Sequence, residues 1–151
     1  MQIHSPVFKE GEEIPVDYTC DGVDHSPPLA WTDIPEGTKS FALITDDPDA
    51  PAKTWVHWVI FNIPAGQTGV DENLLGNNML PDGAVQGINS WGRNGYGGPC
   101  PPSGVHRYYF RLYALNKMLD LGPLAGKSEV LEAMQSHILA EAEIMGRYTR
   151  K

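Results

Sequence analysis

Trp55-Val56-His57-Trp58-Val59-Ile60-Phe61-Asn62-Ile63 decides the fold class. Alternation puts Trp55, His57, Val59, Phe61 and Ile63 on one face and Val56, Trp58, Ile60 and Asn62 on the other. Apolar side chains fill both faces, so the stretch predicts a central strand covered on both sides. A histidine inside such a strand must find partners for its ring nitrogens. An unmet polar group in a core costs about 1–3 kcal/mol.

The neighbouring segments extend the β pattern. Phe41-Ala42-Leu43-Ile44-Thr45 predicts a second strand, closed by the turn Asp46-Asp47-Pro48-Asp49-Ala50-Pro51. A third strand, His106 to Leu115, has His106, Tyr108, Phe110, Leu112 and Ala114 on one face and Arg107, Tyr109, Arg111 and Tyr113 on the other. Of 13 prolines, 12 lie at or before Pro102, which excludes long helices from that part of the chain. Residues 64–104 are expected to form irregular loops with one short strand near residues 83–88. The ending differs: Ser128 is a plausible N-cap, Glu129 and Glu132 follow in the first turn, and Leu131, Met134, Ile138, Ala142 and Met145 recur at helical spacing. An amphipathic helix over residues 128–145 is therefore expected, on a mainly β single domain spanning residues 1–151.

Bulk properties narrow the partners. The 151 residues carry a net charge of −8, with a pI near 4.9, which argues against nucleic acid and against an anionic membrane surface. No apolar run approaches the roughly 20 residues that span a bilayer, and the N-terminus lacks a signal-peptide pattern. Integral membrane association is not expected, and a cytoplasmic protein is. Cys20 and Cys100, both in loop-like contexts, read first as two reduced thiols; a bridge requires the two loops to meet.

The chemistry concentrates in three places. His57 interrupts a core strand and His106 opens another. The prolines of the 46–51 turn hold its carboxylates in a rigid geometry. The loop Tyr96-Gly97-Gly98-Pro99-Cys100-Pro101-Pro102-Ser103-Gly104-Val105 leads into His106-Arg107-Tyr108. Its glycines let backbone amides approach an anion, but no lysine and no strand-loop-helix context make it a nucleotide loop.

Taken in order, Asp46-Asp47-Pro48-Asp49-Ala50-Pro51, Trp55-x-His57 and Gly98-Pro99-Cys100-Pro101-Pro102-Ser103-Gly104-Val105-His106-Arg107-Tyr108 resemble the paired signature of the phosphatidylethanolamine-binding protein family. The similarity is greatest to its prokaryotic, Raf-kinase-inhibitor-like branch. Tyr18-Thr19-Cys20-Asp21-Gly22, Ser26-Pro27-Pro28-Leu29 with Trp31, and Asn62-Ile63-Pro64 extend the resemblance over essentially the whole chain. It implies a large central antiparallel sheet, a smaller second sheet and a C-terminal helix. It also implies a pocket for phosphate or a phosphorylated head group, lined by Asp47, Trp55, His57, Gly98, Pro99, Cys100, His106 and Tyr108, with no cofactor and no metal. His57 and His106, if protonated, would supply the positive charge, so affinity is expected to weaken as pH rises. Asp47 would accept a ligand proton or orient a histidine. Members of the family resemble inhibitors of kinases or proteases, which implies a regulatory role and a protein target.

Other chemistries fit less well. Two histidines and a carboxylate suit a metal triad, but no His-x-x-x-His spacing supports one. Ser103 near His106 and Asp47 suggests a hydrolase, yet no Gly-x-Ser-x-Gly elbow surrounds it. Inhibition through surface residues 65–84, which include Leu74-Leu75 and Met79-Leu80, is the alternative function. Trp31, Trp58 and Trp91 read as core or turn anchors. An apolar patch on a loop or the helix would allow a homodimer.

Overall fold

The computed structural model describes residues 1–151, and its centre is built as the alternation predicts. The chain forms strands β1 (Gln2–His4), β2 (Leu29–Thr32), β3 (Ser40–Asp47), β4 (Trp55–Pro64), β5 (Gly69–Val70), β6 (Val85–Gln86), β7 (His106–Leu115) and β8 (Ile138–Tyr148) and one α-helix, α1 (Lys127–Met134). The large antiparallel sheet runs β6-β4-β3-β7-β8, and the small one runs β1-β2-β5. β3 is buried along its whole length because β4 and β7 pair with its two edges and layers cover both faces. One face packs Phe41, Leu43, Trp58, Ile60, Phe110 and Leu112 against Ile3, Leu29, Trp31 and Val70 of the small sheet. The other packs Ala42, Ile44, Val59 and Phe61 against Val130 and Met134 of α1. Each fully buried side chain of this kind contributes roughly 1.5–3 kcal/mol.

Strict alternation along β4 fails at two bulges. Register shifts lie between Phe41 and Leu43 and between Thr45 and Asp46, so Trp58 faces Thr45 while Val56 faces Asp46. His57 is the extra residue, and its ring lies 5.2 Å from that of Tyr108. It thus shares a side with Trp58 and Tyr108, not with Val59 as alternation predicts. The second bulge gives Asn62 a φ of 58° and moves Ile63 onto the face of Ile60. There Asn62 exchanges side-chain hydrogen bonds with the amide and carbonyl of Leu119, at 2.7 and 2.9 Å.

The expected helix over residues 128–145 is corrected. α1 ends at Met134, Ser136 adopts a φ of 69°, and Ile138–Tyr148 becomes an edge strand paired along the whole of β7. Ile138, Ala142 and Met145 fit a helical period, but from Ala140 onward burial alternates with a period of two. Pairing with β7 satisfies the backbone of both strands and outweighs the helix preference of Ala and Glu. Gly146 fits this strand because a Cβ there would meet Ile14 Cγ1 at 2.4 Å. Ser128 lies within the first turn and is not the cap; the Gly126 amide donates to Glu129 Oε1 at 2.7 Å. No helix is long and apolar enough to cross a membrane.

The expectation of two reduced thiols is also corrected. Cys20 and Cys100 form a disulfide across a separation of 80 residues, with their Cα atoms 5.4 Å apart. The two loops are already joined by the Cys20 amide, which donates to the Pro99 carbonyl at 3.1 Å.

Candidate functional site

At one end of the large sheet, β3 finishes while β4 and β7 begin, because the three are antiparallel neighbours. This topology brings Asp47, Trp55, His57, His106 and Tyr108 together from distant parts of the chain. They border a cavity of about 280 Å³, closed by Ala50, Pro51, Trp91, Cys100, Pro101 and Pro102. Asp47, His57, His106 and Tyr108 are all buried.

The hydrogen bonds define each group's role. His106 Nδ1 donates to Asp47 Oδ2 at 2.7 Å, and the Asp49 amide donates to Asp47 Oδ1 at 2.8 Å. Both oxygens of Asp47 are thus engaged within the protein, and the carboxylate orients His106. Asp49 is anchored in turn by the Arg107 amide and guanidinium, each donating at 2.9 Å. Those bonds hold the Asp49 carboxyl at about 2. Arg107 therefore belongs to an ion pair beside the cavity and does not line it.

His57 is held differently. Its Nδ1 lies 2.6 Å from the Gly97 carbonyl oxygen, and the Gly97 amide donates back to the His57 carbonyl at 3.0 Å. Burial pushes the His57 pKa down, and the carbonyl and nearby carboxylates only partly oppose this. The positive charge sequence patterning suggests for both histidines is therefore not shared equally. Asp47 can balance a charge on His106, whereas a carbonyl dipole balances none on His57. The Tyr108 hydroxyl is buried beside Asp47 and the Cys100 backbone, and burial, reinforced by Asp47, raises its pKa so that it stays protonated. Behind the cavity, Asp46 is neutralised by Arg111 and Lys127 at 3.2 and 2.7 Å. No lysine or arginine lines the cavity itself.

Six of the eight predicted residues meet there: Asp47, Trp55, His57, Cys100, His106 and Tyr108. Gly98 and Pro99 do not border the cavity. The Gly98 amide donates to Asp24 Oδ1 at 2.9 Å and the Pro99 carbonyl accepts from Cys20, so this stretch braces the wall from behind. The Gly97 and Gly98 amides are thus spent inside the protein. Gly97 is required by close packing, since a Cβ there would lie 2.3 Å from Trp91 Cζ3. Sequence reasoning assigned Trp91 to structure, yet it stands 40% exposed over the cavity. Its ring meets those of His57 and Trp55 edge-on, at 5.0 and 5.7 Å. Ser90 places it there by exchanging hydrogen bonds with the Val56 backbone, at 2.8 Å each. Nothing local in Asn89-Ser90-Trp91-Gly92 announces that contact.

Chemically, the cavity offers two imidazoles, the ring of Tyr108 and an indole-lined mouth. It suits a small polar ligand with oxygen atoms on one side and an apolar or cationic group on the other.

Comparison with known proteins gives a consistent result. The profile of the family described as phosphatidylethanolamine-binding protein matches residues 4–149. A UPF0098 protein of Methanothermobacter thermautotrophicus is 57% identical over 150 residues, covering 99% of both chains. A UPF0098 protein of Aquifex aeolicus is 50% identical, covering 99% of this chain and 89% of its own. Among solved structures, the phosphatidylethanolamine-binding protein homologue CT736 of Chlamydia trachomatis superposes with a TM-score of 0.92 at 41% identity, covering 99% of this chain and 97% of its own. Escherichia coli YbcL, described as a member of the mammalian PEBP family, gives 0.91 at 38% identity, covering 99% and 98%.

Proposed function

The chain belongs to the phosphatidylethanolamine-binding protein family, and on that premise we propose that it binds a small anion, phosphate or a phosphorylated head group, in the cavity between His57, His106 and Tyr108, in a regulatory role. The observation that carries this reading is the pair of buried imidazoles on the cavity wall, His106 oriented by Asp47 and His57 by the Gly97 carbonyl. A buried imidazole nitrogen left unmatched is destabilising by about 1–3 kcal/mol, and a ligand oxygen or hydroxyl would satisfy it. With Nδ1–H committed to Asp47, His106 offers Nε2 as a donor when the ring is protonated. Because Asp47 is engaged by His106 and the Asp49 amide, it does not present a bare carboxylate to the anion.

The test is a titration of phosphate and phosphoethanolamine, on the wild type and on His106→Ala, at pH 6 and pH 8. Binding is expected at pH 6, weaker at pH 8, and at least tenfold reduced in the variant. Absence of binding to the wild type would remove this reading.

A second reading, inhibition of a protease or kinase through a surface loop, is favoured by one feature. Leu75 and Met79 stand 65% and 59% exposed on a loop whose backbone is gripped from below by buried Gln86. Gln86 Nε2 donates to the carbonyls of Leu75 and Asn77 at 2.7 and 2.8 Å, and its amide donates to that of Asn78 at 2.9 Å. A loop that displays apolar side chains on a braced backbone is pre-organised to dock into a partner's pocket. Inhibition of a protease or kinase that is lost in Leu75→Asp and kept in His106→Ala would favour it over the anion pocket.

A further inference from the structure

We infer that the outer edge of β8 is a docking site for a partner protein's extended segment in which basic and apolar residues alternate. The segment's backbone pairs with Glu141 and Glu143, its basic side chains meet the Glu141 carboxylate, and its apolar ones enter the groove between β1 and β8. Glu141 and Glu143 pair with Tyr113 and Arg111, at the opposite end of β7 from His106. This surface is therefore independent of the anion cavity.

β7 occupies one edge of β8, and along the other edge the backbone groups of every second residue point outward. Toward the end of the strand the chain itself meets them. The Gly11 amide donates to the Met145 carbonyl at 2.7 Å, the Arg147 amide to the Glu12 carbonyl at 2.9 Å, and the Ile14 amide to the Arg147 carbonyl at 2.8 Å. Glu13 bridges Arg147 in parallel fashion, so residues 11–14 add a short strand of their own to this edge. The same period puts the amides and carbonyls of Glu141 and Glu143 on that edge, where none of the four makes a hydrogen bond within the protein. The opening is short. Gly11, with a φ of 79°, starts the self-pairing at Met145, and a bulge opposite Ala114 and Leu115 ends the regular ladder on the other side.

Strand addition draws its affinity from main-chain bonds and its specificity from side chains at alternate positions. The two faces of an added strand would meet different surroundings here. On the small-sheet side lies a groove of about 490 Å³ with apolar walls, Met1, Ile3 and Phe8 across from Ala142 and Ile144. Lys9 and Glu10 at its rim offset each other in charge. On the helix side stand Glu141 and Glu143, both exposed. Glu143 is shared with Arg111 at 3.2 Å, whereas Glu141 has no cationic partner.

A second copy of the chain is the poorer occupant. Full antiparallel overlap of two such edges sets Glu141 opposite Glu141, and like charges facing each other across a strand pair are destabilising. A charge on an open edge works against self-pairing in this way. A basic strand turns the same carboxylate into a favourable contact, and the net charge of −8 attracts it at longer range.

The probe is an N-acetylated, C-amidated peptide of alternating lysine and valine, titrated against the intact protein at physiological salt. A peptide of alternating glutamate and valine is expected to bind at least tenfold more weakly. Glu141→Lys, a change at an exposed side chain, is expected to weaken the lysine peptide at least tenfold. The lysine peptide N-methylated at every residue keeps its charge and loses its backbone donors, and is expected to lose binding by a similar factor. Hydrogen exchange on the wild type is expected to slow at the Glu141 and Glu143 amides when the unmodified peptide is added. No binding of that peptide, equal binding of the glutamate peptide, or equal binding of the N-methylated one would overturn the inference. Slowing at Glu141 and Glu143 with protein concentration alone would also overturn it, by assigning the edge to a second copy. The phosphate titration tests the anion reading separately.

Discussion

Two walls of the cavity are held by different chemistry. Asp47, His57, His106 and Tyr108 reach it from β3, β4 and β7, which pair as antiparallel neighbours and sit over fully buried side chains such as Trp58 and Phe110. Facing them, Cys100, Pro101 and Pro102 come from a loop in which residues 101–105 take part in no hydrogen bond. That loop is secured at one end by the disulfide to Cys20 and at the other by the start of β7. The polar groups that would fix a ligand's orientation stand on the rigid wall, and the largely apolar wall is the one free to adapt. A binding site needs the first to be reproducible and tolerates variation in the second.

Substitutions should expose the contrast. Phe110→Ala, at a fully buried position in β7, is expected to destabilise the fold by about 3–5 kcal/mol in urea denaturation. Reduction of the disulfide is expected to remove about 2–4 kcal/mol, mainly by releasing a constraint on the unfolded chain. Hydrogen exchange should show the accompanying loosening at residues 103–105 and leave the amides of β7 protected. Faster exchange throughout β7 would mean that the two walls are one cooperative unit.

Acid probes the strand wall at two separate groups. His57 is held neutral by burial, so below its ordinary value of 6.5 the unfolded chain takes up a proton that the folded chain does not. Stability from this source is present above 6.5 and is lost as pH falls below it; His57→Asn should flatten that part of the profile. Asp49, held by Arg107 at about 2 against an ordinary 3.8, contributes only above 3.8, and that contribution disappears as pH drops toward 2. Denaturation curves at pH 7, 5.5 and 3 would resolve the two windows, and a flat wild-type profile between 7 and 5.5 would count against a neutral His57. The smallest effect is expected for Val105→Ala. This side chain is 60% exposed on the loop wall, and its loss should change stability by no more than about 0.5 kcal/mol.

The β-rich fold, the three long strands and the two cavity histidines were legible because each depends on local pattern. Apolar alternation marks β3, β4 and β7, and histidines inside or at the head of such strands stand out against it. The family resemblance carried the rest of the prediction, including the second sheet, since β1, β2 and β5 are too short to show a period of their own. Failures fell where partners distant in sequence decide the outcome. Ala-Glu-rich residues 138–148 satisfy helix and strand periods at once, and only the free edge of β7 selects the strand. Gly98 looked like an anion contact because its amide is unencumbered in sequence, and Asp24 claims it in three dimensions.

By itself, then, the sequence determined the fold class, the central strands and the two histidines that stand out from them, because hydrophobic period and residue chemistry are properties of short segments; the other cavity groups came from the family resemblance. Tertiary structure alone decided that Cys20 meets Cys100, that Trp91 covers the cavity, and that a bulge turns His57 toward Tyr108. It also decided that one histidine faces a carboxylate and the other a carbonyl. Each of these depends on register between strands and on contacts between loops, and their geometry exists only once the sheet has formed.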